Sequence, residues 1–155
     1  MKTIGLAACV SAAVLVSGCA STLPHDAPYA NSQTYPETRE AIWGKVLSMS
    51  AHNAMIVSAD TANGIIDAHR EIVSPDGDAV YNWADCGSSG VFGRPLSQKI
   101  EVHYLVQRDE AGTKVVVNTE FKELRLNVAR QKSSWVTCSS TGVLEEELLD
   151  ALWGV

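Results

Sequence analysis

Two alternating runs of residues joined by a short turn constrain the fold of this chain more than any other feature. Residues 98–108 read QKIEVHYLVQR, and TKVVVNTEF at 113–121 follows after the turn Asp109-Glu110-Ala111-Gly112. Alternation with a period of two places apolar side chains on one face of a strand and polar ones on the other. The pattern predicts antiparallel strands with one buried face and one solvated face.

Two helices, each with one apolar face, are predicted to pack on the buried face of the sheet. The sequence Thr34-Tyr35-Pro36-Glu37 has the form of a capping box and precedes apolar residues at helical spacing, which predicts a helix over 35–52. The segment 140–154 repeats that spacing, with acidic residues in its first turn, and predicts a second helix.

A further hairpin is predicted where Asn63-Gly64 separates the strand-like runs 54–59 and 64–73. Together these elements predict an α+β fold. Its expected form is a two-layer domain of about five antiparallel strands packed with an N-terminal and a C-terminal helix.

Residues 1–18 have the composition of a secretory signal peptide, with the cation Lys2, an apolar run from Ile4 to Val16, and small residues before Cys19. The apolar run is shorter than the roughly 20 residues that a membrane-spanning helix requires. The sequence Leu15-Val16-Ser17-Gly18-Cys19 resembles the lipobox of bacterial lipoproteins.

The lipobox resemblance implies cleavage after Gly18, acylation of Cys19 with palmitate and related chains, and attachment to a membrane through that lipid anchor. The residue after the cysteine is Ala20, whereas an aspartate there would favour inner-membrane retention. The expected location is the outer membrane, facing the periplasm. Residues 19–34 are predicted to be the lipidated cysteine and a flexible tether, and residues 35–155 a single α+β domain.

Loss of Cys9 with the leader and lipidation of Cys19 would leave Cys86 and Cys138 as the only thiols. In an oxidising compartment this predicts a disulfide between them, stabilising the fold by about 4 kcal/mol. An alternative is a nucleophilic Cys86, because Asp85-Cys86 resembles part of the NlpC/P60 cell-wall peptidase motif. That resemblance implies a thiol hydrolase using Cys86 with His103, although Gly87, Gly90 and Pro95 do not sustain the helix that the family places after its cysteine.

The chain has 12 basic and 18 acidic residues and a net charge of −6, which excludes electrostatic attraction to nucleic acid. Its only basic cluster is Arg125, Arg130 and Lys132. This cluster is a candidate binding site for an acidic partner, and the alternative is a solvated loop over 124–135.

No cofactor or metal site is predicted. The candidate ligands His69 and His103 lie on the polar side of strand-like runs and lack a compact metal-binding spacing. Trp83 and Trp135 are close in sequence to the cysteines and are expected to pack against the disulfide. An exposed tryptophan there would instead indicate a peptide or glycan contact.

A loose pattern over about 35 residues, with Trp43 and Leu47 on a helix followed by Ile56, Asp60 and Gly64, resembles the repeated domain of the C lipoprotein of the outer-membrane β-barrel assembly machinery. The resemblance implies a non-catalytic interaction module. The function predicted is therefore a non-enzymatic outer-membrane lipoprotein whose domain contacts an envelope protein or peptidoglycan.

Overall fold

The computed structural model describes residues 24, 28–53, 55–73, 82–88 and 93–154. The predicted signal peptide, Cys19 and most of the predicted tether lie outside the described residues. Among the helices that are described, none has the length and apolarity needed to span a bilayer.

The described residues form a seven-stranded antiparallel sheet with two helices, which confirms the predicted α+β class and raises the strand count above the expected five. In chain order the elements are β1 Ser32–Tyr35, α1 Arg39–His52, β2 Ile56–Asp60, β3 Ile65–Val73, β4 Ala84–Asp85, β5 Gly93–Asp109, β6 Gly112–Asn127, β7 Lys132–Ser140 and α2 Val143–Gly154. The strands are arranged β2-β3-β5-β6-β7-β4, with β1 paired to β6.

The long strands β5 and β6 organise the sheet, and both predicted hairpins are present. Strands β5 and β6 are joined by the turn at Glu110-Ala111, and β2 and β3 by residues 61–64. Gly64 has φ 75°, and a Cβ there would lie 2.4 Å from the carbonyl oxygen of Val106. Glycine is required at this turn because any side chain would collide with the neighbouring strand.

Buried residues of the helices and strands form one hydrophobic core. Strand β5 contributes Ile100, Val102, Tyr104 and Val106, while β6 contributes Val115, Val117 and Phe121. The helices contribute Ile42, Val46 and Met49 from α1 and Leu144, Leu148, Leu149 and Leu152 from α2. The alternation read from the sequence therefore identified the buried positions of the two central strands.

Strands β1 and β7 lie end to end along one edge of β6. Strand β1 pairs with residues 113–116 and β7 with residues 121–127. Glu145, in the first turn of α2, is fully buried and accepts hydrogen bonds from Thr119 Oγ1 at 2.5 Å and Ser140 Oγ at 2.8 Å. The carboxylate thus links α2 to β6 at the gap between the two edge strands.

Three predicted boundaries differ from the structure. Helix α1 begins at Arg39 rather than residue 35, because its N-cap is Thr38, whose side chain accepts from the Ala41 N–H. Residues 32–34, expected in the tether, belong to β1 and pair with β6. The segment 124–135, whose alternative reading was a solvated loop, consists of the end of β6, a turn at 128–131 and the start of β7.

Candidate functional site

One face of the sheet carries the polar set of the alternating side chains. We define the outer face as the odd-numbered residues 65–73 of β3 and 97–107 of β5, the even-numbered residues 114–126 of β6, and Ser133, Trp135 and Thr137 of β7. Its members are mostly exposed or half-buried, whereas their strand neighbours face the core. None of the described residues of the outer face belongs to the hydrophobic core.

Charged groups of both signs meet across the strands of the outer face. Asp67 is in register with His103, and Asp67 Oδ1 lies 2.7 Å from His103 Nδ1. Lys122 Nζ lies 3.4 Å from Glu120 Oε2 and 3.7 Å from Glu101 Oε1. Exposed pairs of this kind contribute less than about 1 kcal/mol to folding, so these groups are available to a partner.

Trp135 is the largest exposed apolar side chain of the outer face, with 43% of its surface accessible. Lys99 Nζ lies 4.7 Å from the centroid of its ring, within the range of a cation–π interaction. Because Trp135 and Cys138 are three residues apart on one strand, their side chains point to opposite faces. The expectation that Trp135 packs against the disulfide is therefore wrong. Trp83 instead packs partly buried against the core and donates from Nε1 to Glu147 Oε2 at 3.0 Å.

Other exposed apolar residues extend this surface. Ile56 on β2 is 68% exposed and is in register with His69, while Val73 on β3 is 74% exposed. Next to them, Asp67, His69, Glu101 and His103 line a shallow depression of about 250 Å³. The outer face thus combines scattered apolar contacts with ionisable groups.

The two cysteines lie on the core side of the sheet. The Sγ atoms of Cys86 and Cys138 are bonded at 2.01 Å, which confirms the predicted disulfide. Both residues are 7% exposed and belong to the core. His103 lies on the outer face, so the structure does not bring it together with Cys86 as the thiol hydrolase alternative requires.

Arg125 supports the segment that carries Cys86. Its Nη2 donates to the carbonyl oxygens of Cys86 at 2.6 Å and Gly87 at 3.0 Å, and its Nε donates to Glu123 Oε1 at 2.5 Å. Gln98 Nε2 donates to the second Glu123 oxygen at 2.9 Å. Glu123 is 2% exposed, so this is an internal ion pair that positions a loop.

The predicted basic cluster is consequently divided. Arg125 points to the core side. Arg130 is exposed in the turn between β6 and β7, and Lys132 is exposed at the start of β7. In the part of the chain that the structure describes, no three His, Cys, Asp or Glu side chains are grouped closely enough to hold a metal ion.

Sequence reasoning assigned the outer face correctly as solvated but did not single it out as a site. The signal was Trp135, the only aromatic residue in the largely polar segment KSSWVTCSS. Comparison with protein-family models, with curated proteins and with solved structures finds no match.

Proposed function

We propose that this chain is a non-enzymatic lipoprotein of the outer membrane, anchored through acylated Cys19, whose periplasmic domain binds another envelope protein through the outer face of its sheet. The leader and its lipobox resemblance support the anchor and the location. The observation that carries the binding role is the exposed Trp135 on a sheet face that supplies no described residue to the core.

The proposed architecture is two layers, with both helices on the core side of the sheet. This arrangement is supported by the alternation of burial along β5 and β6, where the core residues at 100–106 and 115–121 are separated by more exposed residues. A two-layer α+β domain has one sheet face that remains available for a partner.

The size of the outer face favours a protein partner. The four strands of the outer face lie at about 4.8 Å spacing, and the part of each that belongs to the face averages about nine residues or 30 Å, so that together they present roughly 600 Å². A standard protein–protein interface buries about 800 Å² on each partner. The outer face is therefore at the lower end of the standard range, which is about 600 to 1,000 Å² on each partner.

The chemistry of the outer face also favours a protein partner. Charges of both signs lie beside Trp135, Ile56 and Val73 across a broad surface, which suits a partner with complementary charges and apolar side chains. A glycan partner would require a compact aromatic platform with convergent polar groups. The exposed apolar residues here are spread over β2, β3 and β7 instead.

Site-specific photo-crosslinking in living cells tests the proposal. A photoreactive residue is placed at Thr137 or Asn118, which are exposed on the outer face, and at Ser48, which is exposed on α1. We expect both outer-face probes to crosslink to one and the same envelope protein, and the Ser48 probe not to do so.

Matched tryptophan variants supply the control. Trp135 and Trp153 are similarly exposed, but Trp153 lies at the end of α2. Trp135→Ala is expected to reduce the Thr137 crosslink at least about tenfold, as loss of a buried aromatic anchor does, whereas Trp153→Ala leaves it unchanged. Crosslinks to peptidoglycan, or an equal yield from all three probes, would contradict the proposal.

A further inference from the structure

A cavity of about 230 Å³ opens on the core side of the sheet, away from the outer face. It lies between the end of α1, the strands β3 and β5, Trp83, and α2. Its described lining is Met49, Asn53, Met55, Arg70, Trp83, Ile100, Leu144, Glu147, Leu148 and Ala151. Neither Trp135 nor any other residue of the outer face is part of this described lining.

The walls of the cavity are apolar and adaptable. Met49 and Met55 contribute flexible thioether side chains, which fit irregular shapes and contact aromatic rings favourably. Trp83 contributes an aromatic wall, held by its hydrogen bond to Glu147. Because a cavity of about 150 Å³ suffices for benzene, this one has room for a ring with a short substituent.

The rim contains one cation, Arg70, that has no counterion among the described residues. Within that part of the chain its guanidinium donates only from Nη1 to the Asn53 carbonyl oxygen, at 3.4 Å. The acidic residue of the rim, Glu147, accepts from Trp83 Nε1 at 3.0 Å. Among the described rim residues, Arg70 is the one whose guanidinium can pair with an anion.

We propose that this cavity binds a small amphipathic carboxylate, whose ring or short chain lies against Met49, Met55 and Trp83 and whose carboxylate pairs with the Arg70 guanidinium. The guanidinium fork matches a carboxylate in a bidentate geometry. The apolar wall supplies the remaining affinity through burial of the hydrocarbon part. This inference stands independently of the lipid anchor and of the outer-face partner.

Methionine-methyl NMR of the full chain in lipid nanodiscs tests the inference, because two of the three methionines line the cavity. The probes are 3-phenylpropanoate and its neutral isostere 3-phenylpropanamide. We expect saturable shifts of the Met49 and Met55 methyl signals, with the carboxylate binding about tenfold more tightly than the amide, the factor that one charge-assisted hydrogen-bonded pair provides.

Two arginine variants separate specific from general effects. Arg70→Gln is expected to remove the preference for the carboxylate while the amide still binds. Arg130→Gln, an exposed substitution outside the cavity, is expected to leave both affinities unchanged. The inference is overturned if neither methyl signal shifts saturably, if the two probes bind equally to the unaltered protein, or if Arg70→Gln retains the preference.

Discussion

At the scale of single residues, two buried tyrosines have opposite hydrogen-bond environments. Tyr35 OH donates to the Leu149 carbonyl oxygen at 2.6 Å, which ties β1 to α2. Tyr104 OH and Ser50 Oγ are both buried and have no hydrogen-bond partner among the described residues. Burial raises the pKa of Tyr104 and Ser50 acts in the opposite direction, although the two hydroxyl groups do not reach hydrogen-bond geometry.

Replacing each tyrosine by phenylalanine should therefore change the free energy of unfolding by amounts that differ in sign or size. Tyr35→Phe is expected to lower the free energy of unfolding by about 1 kcal/mol, the net contribution of one hydrogen bond. Tyr104→Phe is expected to be neutral or stabilising, because it removes an unsatisfied buried hydroxyl. Urea unfolding of both variants measures the difference, and a larger loss for Tyr104→Phe than for Tyr35→Phe would contradict these hydrogen-bond assignments.

The buried ion pair of Arg125 and Glu123 is expected to contribute strongly to stability. Arg125→Met leaves the Glu123 carboxylate, which is 2% exposed, without its cation. Loss of one partner of a buried ion pair destabilises a protein by about 3 to 5 kcal/mol. Urea unfolding with the disulfide intact should show that loss, and the control Arg130→Met should change stability by less than about 0.5 kcal/mol. Equal effects of the two variants would show that Arg125 is solvated.

The role of Arg125 was within reach of the sequence. Val115, Val117 and Phe121 alternate inward along β6, and continuing that alternation places Glu123 and Arg125 on the inner face. Their charge made the strand appear to end at Phe121. Arg125 contacts the backbone of residues 86 and 87, which precede it by 38 residues or more. No local sequence pattern could therefore indicate these contacts.

At the scale of elements, the N-terminus of α1 shows how tertiary pairing overrides a local motif. Thr34 and Glu37 satisfy the spacing of a capping box, but Tyr35 is fully buried in β1 and pairs with Thr113. Burial of a tyrosine and strand pairing outweigh the roughly 1 kcal/mol of one cap. Thr38 provides the cap instead, and the helix begins four residues later than predicted.

Two threonine variants test the position of this cap. Thr38→Ala removes the acceptor for the Ala41 N–H and should destabilise the protein by about 1 kcal/mol. Thr34→Ala removes only an exposed hydrogen bond to Asp109 Oδ2 and should cost less than about 0.5 kcal/mol. Thermal or urea unfolding distinguishes them, and the reverse order would restore the capping box at Thr34.

The other elements were predictable where their apolar residues recur with the period of a strand or a helix. The β2–β3 hairpin, the central strands and α2 follow from Asn63-Gly64, from the alternation in β5 and β6, and from the leucine spacing in α2. Strand β1 was missed because four residues beside two prolines resemble a linker, and only its pairing with β6 makes it a strand. Strand β7 was missed because KSSWVTCSS has little alternation, and it depends on pairing with β6 in the same way.

At the scale of the whole molecule, the tyrosines make folding sensitive to alkali. Burial raises the pKa of Tyr35 and of Tyr104 to about 12, above the ordinary value of 10.0. Since the folded state holds these protons more tightly, their contribution is complete below about pH 10 and is lost as the pH rises towards 12. The urea concentration at the midpoint of unfolding should be constant below about pH 9 and fall steeply above pH 10. In the folded protein, tyrosinate absorbance should show that Tyr35 and Tyr104 ionise at a higher pH than an exposed tyrosine. Ionisation of every tyrosine near pH 10 in folded protein would contradict this assignment.

We propose a lipid at Cys19 on a domain closed by the disulfide Cys86–Cys138, and intact-mass spectrometry of protein purified from membranes without reductant tests both at once. The predicted mass is that of residues 19–155 plus the acyl groups and minus two hydrogens. Alkylation before reduction should add nothing at Cys86 or Cys138. An unacylated chain, a different N-terminus, or two alkylated thiols would contradict the account.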